Sequence, residues 1–485
     1  MNNLITLFII VVAVAIFTKF SGNPLNHDRA YMRRRILNWV PLGIGYAFLY
    51  FGRYNLTVAK IALGDLMTKR EFGTIFAVGT WTYALAFIVN GPLTDRIGGR
   101  KAMLISTVGA AASNILIGIL VFLLGPREGN SVLRTPGGHT ALLGLFILLY
   151  ALNMYFQSFG AVSIVKVNSS WFGVKERGVF GGIFGILISA GVFFAYDFGQ
   201  WIVDGLHTVK DFAGNAVVSP PYGVFWIPGA LLLAAALWIY LVVRDRPAEA
   251  GFANFDTGDA SSGEDDTPDP VRVILKKVVT NPVVLTIGAI EFCTGILRQG
   301  IMQWYPIYGS EMGYRGTFIV TKQWGTMLFI AGATGGMTAG WISDKVFGSR
   351  RGPVAALLYA LMLVAVIVMT FTVQVPIAGV PVEALRKVLL GASVVLISYC
   401  VIGTHGMLSG TATMDFGGRK NAGTAVGLID GLVYLGTGFQ AISLGFLTEK
   451  SWSLWPPFLI PFAIIGMVLA LRIWKAMPQA AGKKA

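Results

Sequence analysis

The sequence predicts an all-α membrane protein whose core contains twelve transmembrane helices, arranged as two six-helix halves and preceded by one extra N-terminal hydrophobic helix. Of its 485 residues, 55% are hydrophobic and only 13% are charged, against about 25% charged residues in an ordinary soluble domain. Such a chain cannot cover itself with a solvated surface. Apolar segments that can cross about 30 Å of hydrocarbon recur along it, and residue patterns of its first half return in its second.

Twelve apolar segments define the predicted core helices, because a helix rises 1.5 Å per residue and needs roughly 20 residues to cross a bilayer. They cover residues 36–59, 73–92, 102–124, 140–165, 178–203, 222–243, 283–308, 318–342, 352–374, 385–411, 421–447 and 455–474.

A further apolar stretch, Leu4 to Phe17, precedes the core. A cleaved signal peptide would carry a positive side chain before the apolar stretch and small residues at a cleavage site after it. Met-Asn-Asn supplies no such charge, and no such site follows. We therefore expect an uncleaved accessory helix within residues 1–30.

The placement of lysine and arginine predicts the orientation. The chain has 38 Lys and Arg against 24 Asp and Glu, a net charge of +14. If Arg33, Arg34 and Arg35 face the cytoplasm, most of the basic residues collect on that side, as the positive-inside rule requires. The charge then reflects topology, and no nucleic-acid partner is expected. We expect a multi-pass protein of the bacterial inner (plasma) membrane, in contact with the lipid bilayer.

An internal repeat divides the core into halves. The loop after the second helix reads GPLTDRIGGRKAML and the loop after the eighth reads GWISDKVFGSRRGPV, while WFGVKERG is echoed by DFGGRKNAG. Three residue pairs recur at nearly one offset: Asp95 and Asp344, Phe172 and Phe416, and Arg53 and Arg298. Two halves in parallel orientation are therefore predicted.

The repeat fixes the predicted organisation of the chain. The acidic, Gly-, Ser- and Pro-containing run FDTGDASSGEDDTPDP between the halves has the composition of a solvated linker. The predicted parts are an accessory helix at 1–30, an N-terminal half at 31–243, a cytoplasmic linker at 244–282, a C-terminal half at 283–476 and a cytoplasmic tail at 477–485.

The repeated Gly-x-x-x-Asp-Arg-x-Gly-Arg-Lys pattern resembles the signature loop of the major facilitator superfamily. The resemblance implies the major facilitator fold, with loops that latch neighbouring helices and loosen when the halves rock. It assigns this gating role to Asp95, Arg96, Arg100, Lys101, Asp344, Lys345, Arg350 and Arg351. Plain positive-inside loops are the alternative, although topology alone does not require an aspartate at the same place twice. Gly332, Gly336 and Gly340 further predict a groove for close helix approach.

Two arginines lie inside the predicted helices. Arg53 comes 17 residues after Ile36 and Arg298 comes 16 residues after Pro282, so both guanidinium groups are expected at nearly the same depth. A mid-bilayer arginine costs roughly 2.5 to 3.5 kcal/mol on insertion scales and needs a partner. Two such groups facing one cavity repel each other unless an anion joins them, and a phosphate monoester dianion matches both forks.

Tyrosines accompany the arginines. Tyr46, Tyr50 and Arg53 stand at i, i+4 and i+7 and so share one helical face. Tyr83 lies twelve residues before Asp95, about 18 Å above that loop.

A closer resemblance is carried by YAFLYFGRYN, ILRQGIMQWYP and AGTAVGLIDGLVYLG. These stretches are similar to those of the organophosphate:phosphate antiporter family, in which one arginine from the first helix and one from the seventh bind the phosphoryl group. The resemblance implies exchange of an organic phosphate, such as a sugar phosphate or glycerol phosphate, for inorganic phosphate. Carried over, the substrate-binding residues are Arg53, Arg298, Tyr46, Tyr50, Tyr83 and Tyr434.

The sequence also departs from glycerol-3-phosphate carriers of that family. A fifth-helix histidine is replaced by Ile188, basic positions by Tyr54 and Phe87, and a seventh-helix tyrosine by Gly295. The predicted cavity is therefore less basic and differently shaped.

Intramembrane titratable groups leave alternatives open. Glu291, Asp430 and His405 could carry protons or ions, which would make the protein a proton- or sodium-coupled symporter of sugar acids or other organic anions. A transporter-like receptor for a sugar phosphate is a further alternative.

An enzyme is not expected. The sequence has no GxxxxGK[ST] loop, no histidine and cysteine cluster at metal spacing, and no carboxylate pair beside a nucleophile. We expect no cofactor and no metal. Cys293 and Cys400, the only cysteines, are interpreted as packing residues without a disulfide. The partners expected of this secondary transporter are a small-molecule anionic substrate and inorganic phosphate as counter-substrate, and we expect a monomer.

Overall fold

The computed structural model describes residues 2–20, 23, 25–124, 136–173, 176–210, 216–257, 272–273, 276, 280–348, 350–374, 382–417 and 422–475. Most of the acidic run, residues 418–421 of the repeated motif and the tail at 477–485 lie outside this part of the chain.

The described residues are almost entirely helical. In the first part of the chain the helices are α1 Asn2–Phe20, α2 Arg29–Leu63, α3 Lys69–Ile97, α4 Gly99–Leu124, α5 Pro136–Trp171, α6 Arg177–Phe193, α7 Gly199–Ile202 and α8 Gly223–Val242. In the second part they are α9 Pro282–Met302, α10 Trp304–Glu311, α11 Ile319–Lys322, α12 Trp324–Lys345, α13 Arg351–Gln374, α14 Val382–Gly417, α15 Ala422–Lys450 and α16 Trp455–Arg472.

Each of the twelve predicted core segments is helical, and the predicted leading segment is helix α1. The first core helix, α2, begins seven residues before the predicted position, because Asp28 caps it by accepting a hydrogen bond from the backbone of Tyr31. Within the described ranges, ten helices are long and apolar enough to cross a membrane. Helices α2 and α12 are not among the ten; α2 carries several polar side chains and α12 is rich in glycine.

The fifth core helix is not a regular α-helix along its whole length. Beyond α6 it continues through a π-helical turn at Phe194–Phe198, the short helix α7 and a second π-helical turn at Val203–His207. A small antiparallel hairpin follows, in which β1 (Thr208–Lys210) pairs with β2 (Ala216–Val218). Wide turns of this kind inside helices are rare and frequently occur at functional sites.

The halves meet along two pairs of helices, α3 with α15 and α6 with α12. We call the end that carries the Gly98 and Gly348 turns the basic end, and the end that carries the Gly64 and Gly313 turns the far end. At the far end α3 and α15 are in close contact at Gly73, where an added Cβ would lie 2.5 Å from the carbonyl oxygen of Ala441.

Helix α1 contacts both halves. The hydroxyl groups of Thr6 and Thr326 are 3.2 Å apart, which joins α1 to the start of α12. Ile10 is buried in a small apolar cluster that includes Phe193 of α6 and Phe329 of α12. The accessory helix therefore packs where the N-terminal and C-terminal halves adjoin.

The basic end of the first half is held by a buried ion pair. Nη1 of Arg35 lies 2.8 Å from Oε1 of Glu176, and both side chains are buried. The Tyr31 hydroxyl donates to the carbonyl of Trp171 at 3.0 Å. Phe252, at the start of the predicted linker, packs its ring 5.6 Å from that of Tyr31. The described residues 244–257, at the start of the predicted linker, are therefore packed in part against the helices, while most of the acidic run on which the prediction of a solvated linker rests lies outside the described residues.

The predicted glycine groove on α12 forms only in part. An added Cβ at Gly332 would lie 2.6 Å from the hydroxyl of Ser189, whereas Gly336 and Gly340 have no neighbouring atom within 4 Å. Close contact with α14 is made instead by Gly335 against the backbone of Tyr399. Of the three glycines with every-fourth-residue spacing, only Gly332 therefore lies at a close helix contact in this structure.

Candidate substrate-binding site

Arg53 is fully buried and donates hydrogen bonds only to neutral groups. Its Nε donates to Oε1 of Gln157 on α5 at 2.9 Å, and its Nη2 donates to the hydroxyl of Tyr83 on α3 at 3.1 Å. Its Nη1 donates to the hydroxyl of Tyr434 on α15 at 2.6 Å, which joins the two halves. The Tyr150 hydroxyl donates to the Arg53 carbonyl at 3.0 Å.

Aromatic rings surround the same guanidinium group. Its carbon lies 4.5 Å from the ring centre of Tyr83, 4.9 Å from that of Tyr50, and 5.5 and 5.9 Å from those of Tyr434 and Tyr54. Ring faces attract a cation without carrying a negative charge of their own. The positive charge of Arg53 is therefore stabilised but not neutralised by its neighbours.

Arg298 is the second buried guanidinium group, with 6% of its surface exposed. Its Nε and Nη2 atoms are buried and have no hydrogen-bond acceptor among the described residues. Tyr50, Tyr54 and Tyr434 interact electrostatically with Arg298 and with Arg53 alike. These shared tyrosine neighbours indicate that the two arginines lie in the same buried region between the halves, which we call the arginine pocket.

In the described part of the chain neither guanidinium group forms an ion pair with a carboxylate. Buried donors without acceptors are unfavourable, because their hydration is lost and not replaced. An arginine fork of this kind matches the paired oxygens of a carboxylate or phosphate. The arrangement is therefore suited to an anionic ligand.

Tyr46 lies one turn nearer the basic end than Tyr50, as the sequence predicted. The rings of Tyr46 and Tyr50 are 5.3 Å apart in an edge-to-face arrangement. Tyr46 interacts electrostatically with Arg53 but is not hydrogen-bonded to it. Its place is on the wall of the arginine pocket and not in the immediate shell of Arg53.

The three residues predicted for ion coupling also lie together, on the C-terminal half. Oε2 of Glu291 on α9 is 2.8 Å from Nδ1 of His405 on α14. Asp430 on α15 interacts electrostatically with His405. Arg298 interacts electrostatically with both members of the Glu291 and His405 pair.

The departures from glycerol-3-phosphate carriers have structural consequences. The Tyr54 hydroxyl accepts a hydrogen bond from Gln299 Nε2 at 2.7 Å, so it links the halves. Phe87 packs 4.5 Å from the ring of Tyr83 and thereby lines the pocket with an apolar ring. At Gly295 the α9 backbone lies against the carbonyl of Val433, where a larger residue would not fit. Ile188 is partly buried in the apolar core.

The first signature loop ties helix ends of the N-terminal half together. Asp95 on α3 is buried and lies 3.1 Å from Nζ of Lys166 on α5. The backbone of Arg100 donates to Oδ1 of Asp245 at 2.7 Å, beside Gly98, whose φ of +90° and close approach to Asp245 require glycine. Burial raises the pKa of the Asp245 carboxyl, although the hydrogen bond from Arg100 opposes that change.

The other basic residues of this loop differ in exposure. Arg96 and Lys101 are exposed at the basic end. The side chain of Arg100 donates to the carbonyl of Tyr240 and packs 5.4 Å from the centre of its ring.

The second signature loop is more open than the first. Asp344 and Lys345 are exposed. Arg350 folds back on its own turn, donating to the carbonyl of Phe347 at 3.0 Å, while Arg351 donates to the carbonyl of Met407 on α14 at 3.2 Å. The two copies of the motif therefore occupy equivalent helix ends but make different contacts.

Hydrogen bonds that the sequence did not predict close the far end of the pocket. Gln303 Oε1 accepts from the hydroxyls of Thr57 and Tyr196, the latter at 3.1 Å. Asp197, in the first π-helical turn, accepts at 2.7 Å from the backbone of Gly325, and both the backbone and the hydroxyl of Thr326 donate to it at 2.8 and 2.6 Å. The sequence signal that could have indicated this contact is Asp197 itself, an acid inside the otherwise apolar predicted segment 178–203.

Two ion pairs at the rim of the far end also join the halves. Nζ of Lys69 lies 3.0 Å from Oε2 of Glu311. Arg315 lies 2.8 Å from Oδ1 of Asp204, and both of these side chains are substantially exposed. The polar contacts from the Arg53 and Tyr434 hydrogen bond to these ion pairs therefore join the halves from the depth of Arg53 to the far end.

The core has twelve helices in two halves, which meet around a buried polar pocket. This architecture is that of a class of membrane transporters. A profile of the Major Facilitator Superfamily matches residues 42–441. The chain belongs to that superfamily, and it is a multi-pass membrane transporter of the bacterial inner-membrane kind and not an enzyme.

Several known proteins are similar to this chain over nearly its whole length. The glycerol-3-phosphate transporter of Bacillus subtilis is 26% identical, with 93% of this chain and 95% of the relative covered. The membrane sensor protein UhpC of Salmonella typhimurium is 25% identical, with 91% of each covered. A probable hexose phosphate transport protein of Chlamydia pneumoniae is 24% identical, with 97% and 100% covered. These relatives confirm the resemblance to the organophosphate:phosphate antiporter family.

A solved structure has the same fold. It is a bacterial homolog of the human lysosomal transporter Spinster, in an inward-facing and unoccupied conformation. The TM-score is 0.63 at 14% sequence identity, with 94% of this chain and 100% of the other covered.

Proposed function

We propose that the protein exchanges an organic phosphate, such as a sugar phosphate or glycerol phosphate, for inorganic phosphate. The observation that carries the proposal is the arginine pocket, in which two buried guanidinium groups from different halves share three tyrosine neighbours and form no ion pair with a carboxylate among the described residues. The same chemistry is supported by two of the relatives, which are named as a glycerol-3-phosphate transporter and a probable hexose phosphate transport protein.

In this proposal the phosphoryl group lies between Arg53 and Arg298. Two forks provide charge and paired donors for a dianion, which a single lysine would not. Tyr46, Tyr50, Tyr83 and Tyr434 complete the wall; a tyrosine offers both a ring face and a hydroxyl that can bond a phosphate or sugar oxygen. Tyr434 accepts a hydrogen bond from Arg53 across the two halves. A phosphoryl group bound to Arg53 would therefore either replace this hydrogen bond or bind beside it.

The position of the pocket between the halves supports alternating access as the transport mechanism. The far end is closed by hydrogen bonds such as those of Gln303 and Asp197, and transport requires these bonds to break while the basic end closes. In the proposed cycle the two signature loops latch the basic end. Asp95 and Arg351 act in this latch through the helix-end contacts described above.

Exchange would be obligatory because the empty pocket leaves the Arg298 donors without acceptors in a medium of low polarity. Closing both ends around such a pocket is unfavourable. A bound anion provides the acceptors and lowers the free energy of the closed state, so that each half-cycle needs a ligand.

The test is exchange in proteoliposomes loaded with radiolabelled phosphate. We expect efflux of label when glycerol 3-phosphate, a hexose phosphate or unlabelled phosphate is present outside, and little efflux into anion-free buffer. Efflux that needs no external anion would contradict exchange. Efflux of label driven by sugar acids and by none of the phosphate compounds would contradict an organic phosphate as the exchanged substrate.

The Glu291 and His405 pair favours a second candidate, proton- or sodium-coupled uptake of an organic anion such as a sugar acid. A buried acid and imidazole in contact can take up and release a proton within the membrane. Uptake that follows an imposed proton or sodium gradient and needs no internal anion would identify this function.

The sensor relative favours a third candidate, a receptor that binds a sugar phosphate without turnover. Such a protein would bind the ligand in a purified state and show no exchange in proteoliposomes.

A further inference from the structure

Helix α12 begins without a capping side chain from its own half. Gln323, which precedes its first residue Trp324, makes no capping hydrogen bond through its side chain. The first backbone N–H groups of a helix have no acceptor within that helix and need one from elsewhere. Asp197 of the N-terminal half provides it, because Oδ1 accepts from the backbone of Gly325 at 2.7 Å and Oδ2 accepts from that of Thr326 at 2.8 Å. One half therefore caps a helix of the other.

The cap is buried, and its two sides belong to different halves. Asp197 has 7% of its surface exposed, and an added Cβ at Gly325 would lie 3.0 Å from its carboxyl carbon. The ring nitrogen of Trp324 donates to the carbonyl of Met302 on α9 at 3.0 Å, which fixes the start of α12 within the C-terminal half. The carboxylate and the N–H groups that it caps therefore separate when the halves move apart at the far end.

A chain of hydrogen bonds extends from this cap to the accessory helix. The Thr326 hydroxyl donates to Oδ2 of Asp197 at 2.6 Å, since an ionised carboxylate only accepts. The single hydroxyl proton of Thr326 is then in use, so the hydroxyl of Thr6 on α1, 3.2 Å away, must donate in the bond between the two threonines. Helix α1 thus orients the hydroxyl group that bonds Asp197.

The three donors compensate for the burial of the carboxylate. Within the described ranges Asp197 forms no ion pair, and the groups that act on its carboxyl are those of Gly325 and Thr326. A buried carboxylate is unfavourable unless it is hydrogen-bonded, and buried N–H groups without an acceptor are unfavourable in turn. Each side of the cap therefore needs the other as long as the far end is closed, whereas water can serve both sides once the far end opens.

We propose that Asp197 is a positioning residue for transport, which holds the far end closed by capping α12 and which α1 keeps oriented through Thr6 and Thr326. The cap stabilises only the state in which the halves are in contact, so it sets the ratio of the open to the closed far end. The accessory helix then acts on the far end and is more than a membrane anchor. The proposal goes beyond phosphate exchange, because it holds for any substrate that passes through the far end.

The experiment measures the distance between spin labels on the two halves by pulsed electron spin resonance, in the full-length protein without substrate. The labels replace Leu66 and Met312, both of which are exposed at the far end, while Cys293 and Cys400 are buried. In Asp197→Ala the ratio of open to closed molecules should rise about tenfold, as expected for the loss of a hydrogen bond to a charged group. A distance distribution like that of the unsubstituted protein would overturn the proposal.

Milder variants keep the test decisive if the alanine variant does not fold. Asp197→Asn retains one acceptor oxygen and should give a smaller shift toward the open far end. Thr326→Val removes one donor and should act in the same direction, but it should add little to Asp197→Ala, because its hydroxyl acts through Asp197. Thr6→Val should shift the ratio only when Thr326 is present. Additive effects of Thr326→Val and Asp197→Ala would contradict the proposed chain.

Two matched controls separate the cap from general destabilisation. Thr334→Val removes a hydroxyl of the same helix that bonds the carbonyl of Ile330 within α12. Glu383→Ala removes an exposed acid at the far end that is paired with Lys387 on its own helix. Both should retain the distance distribution of the unsubstituted protein, and shifts in the controls as large as those in the cap variants would overturn the assignment. The measurement uses no phosphate, so its result is independent of the proposed function.

Discussion

At the scale of single residues, Arg53 and Arg298 differ in a way that the sequence repeat did not reveal. Arg53 donates three hydrogen bonds to neutral side chains, whereas two nitrogens of Arg298 have no acceptor in the described part of the chain. Arg53 is thus preorganised by the protein, whereas in the proposed function Arg298 uses its remaining donors for the ligand. The two residues are equivalent in the repeat but are held differently.

Lysine substitutions test whether the forks matter. Arg53→Lys and Arg298→Lys keep the charge but lose the planar pair of donors, and each should reduce phosphate exchange at least tenfold. The measurement is initial efflux from phosphate-loaded proteoliposomes, normalised to the amount of folded protein. Arg315→Lys, at the exposed rim of the far end, is the control. Near-normal exchange by both pocket variants would argue against bidentate anion binding.

Tyr434→Phe tests the contact that joins Arg53 to the other half. The change removes a hydroxyl that accepts a hydrogen bond from a charged group, an interaction worth about 1.5 to 3 kcal/mol. We expect the concentration of phosphate for half-maximal exchange to rise about tenfold. Tyr240→Phe, whose ring is exposed at the basic end, should leave it unchanged. An unaltered value for Tyr434→Phe would remove this tyrosine from the proposed site.

Helical spacing predicted which residues share a face but not what they bond. Tyr50 and Tyr83 could be placed near Arg53 from their positions along predicted helices, because depth follows from the rise per residue. Gln157 could not, since nothing local shows that its amide turns toward Arg53. Asp197 and Gln303 were missed for the same reason: their partners lie more than 100 residues away in the chain.

At the scale of helices, the close contact of α3 with α15 depends on glycine. An added Cβ at Gly73 would lie 2.5 Å from the Ala441 carbonyl, so Gly73→Ala should force the far ends of the halves apart. We expect slower exchange and easier labelling of a cysteine introduced at Thr57. The control is Gly336→Ala, which gives the same gain in helix propensity but adds its methyl group where no neighbouring atom lies within 4 Å. Equal behaviour of the two variants would show that closure tolerates the methyl group.

Helix α1 joins elements that must move relative to each other. Because it packs on both α6 and α12, its removal exposes apolar surface on both halves and breaks the hydrogen bond between Thr6 and Thr326. A chain without residues 2–20 should unfold several degrees lower in detergent, measured by tryptophan fluorescence. A variant with only Thr6→Val should retain most of the stability. An unchanged unfolding temperature for the truncated chain would show that α1 contributes no packing energy.

At the scale of the whole molecule, ligand binding should stabilise the protein because both halves supply the pocket. A ligand at one hundred times its dissociation constant adds about 2.7 kcal/mol to the stability of a state that binds it. We expect inorganic phosphate to raise the unfolding temperature of the purified protein and Arg298→Leu to lose that increase. A rise with gluconate alone would instead support the organic-anion symporter.

The fold was predicted from the sequence much further than the site. Hydropathy located the core helices, because membrane thickness strongly constrains the length of a helix that crosses it. The repeat of Asp95 at Asp344 then divided these helices into two halves. The π-helical turns around Asp197, the hairpin that follows them and the packed part of the linker were not predicted. They depend on contacts between distant segments, which composition does not report.

The far end combines two kinds of closure that respond differently to the medium. The hydrogen bonds of Tyr54 and Gln303 are buried and uncharged, whereas the ion pairs of Lys69 with Glu311 and Arg315 with Asp204 lie at the rim. Mobile ions screen exposed charges over about 8 Å at physiological ionic strength but hardly reach buried amides. Raising the salt concentration on that side alone should therefore favour the open far end, so that the resting orientation of the carrier depends on the salinity of its surroundings.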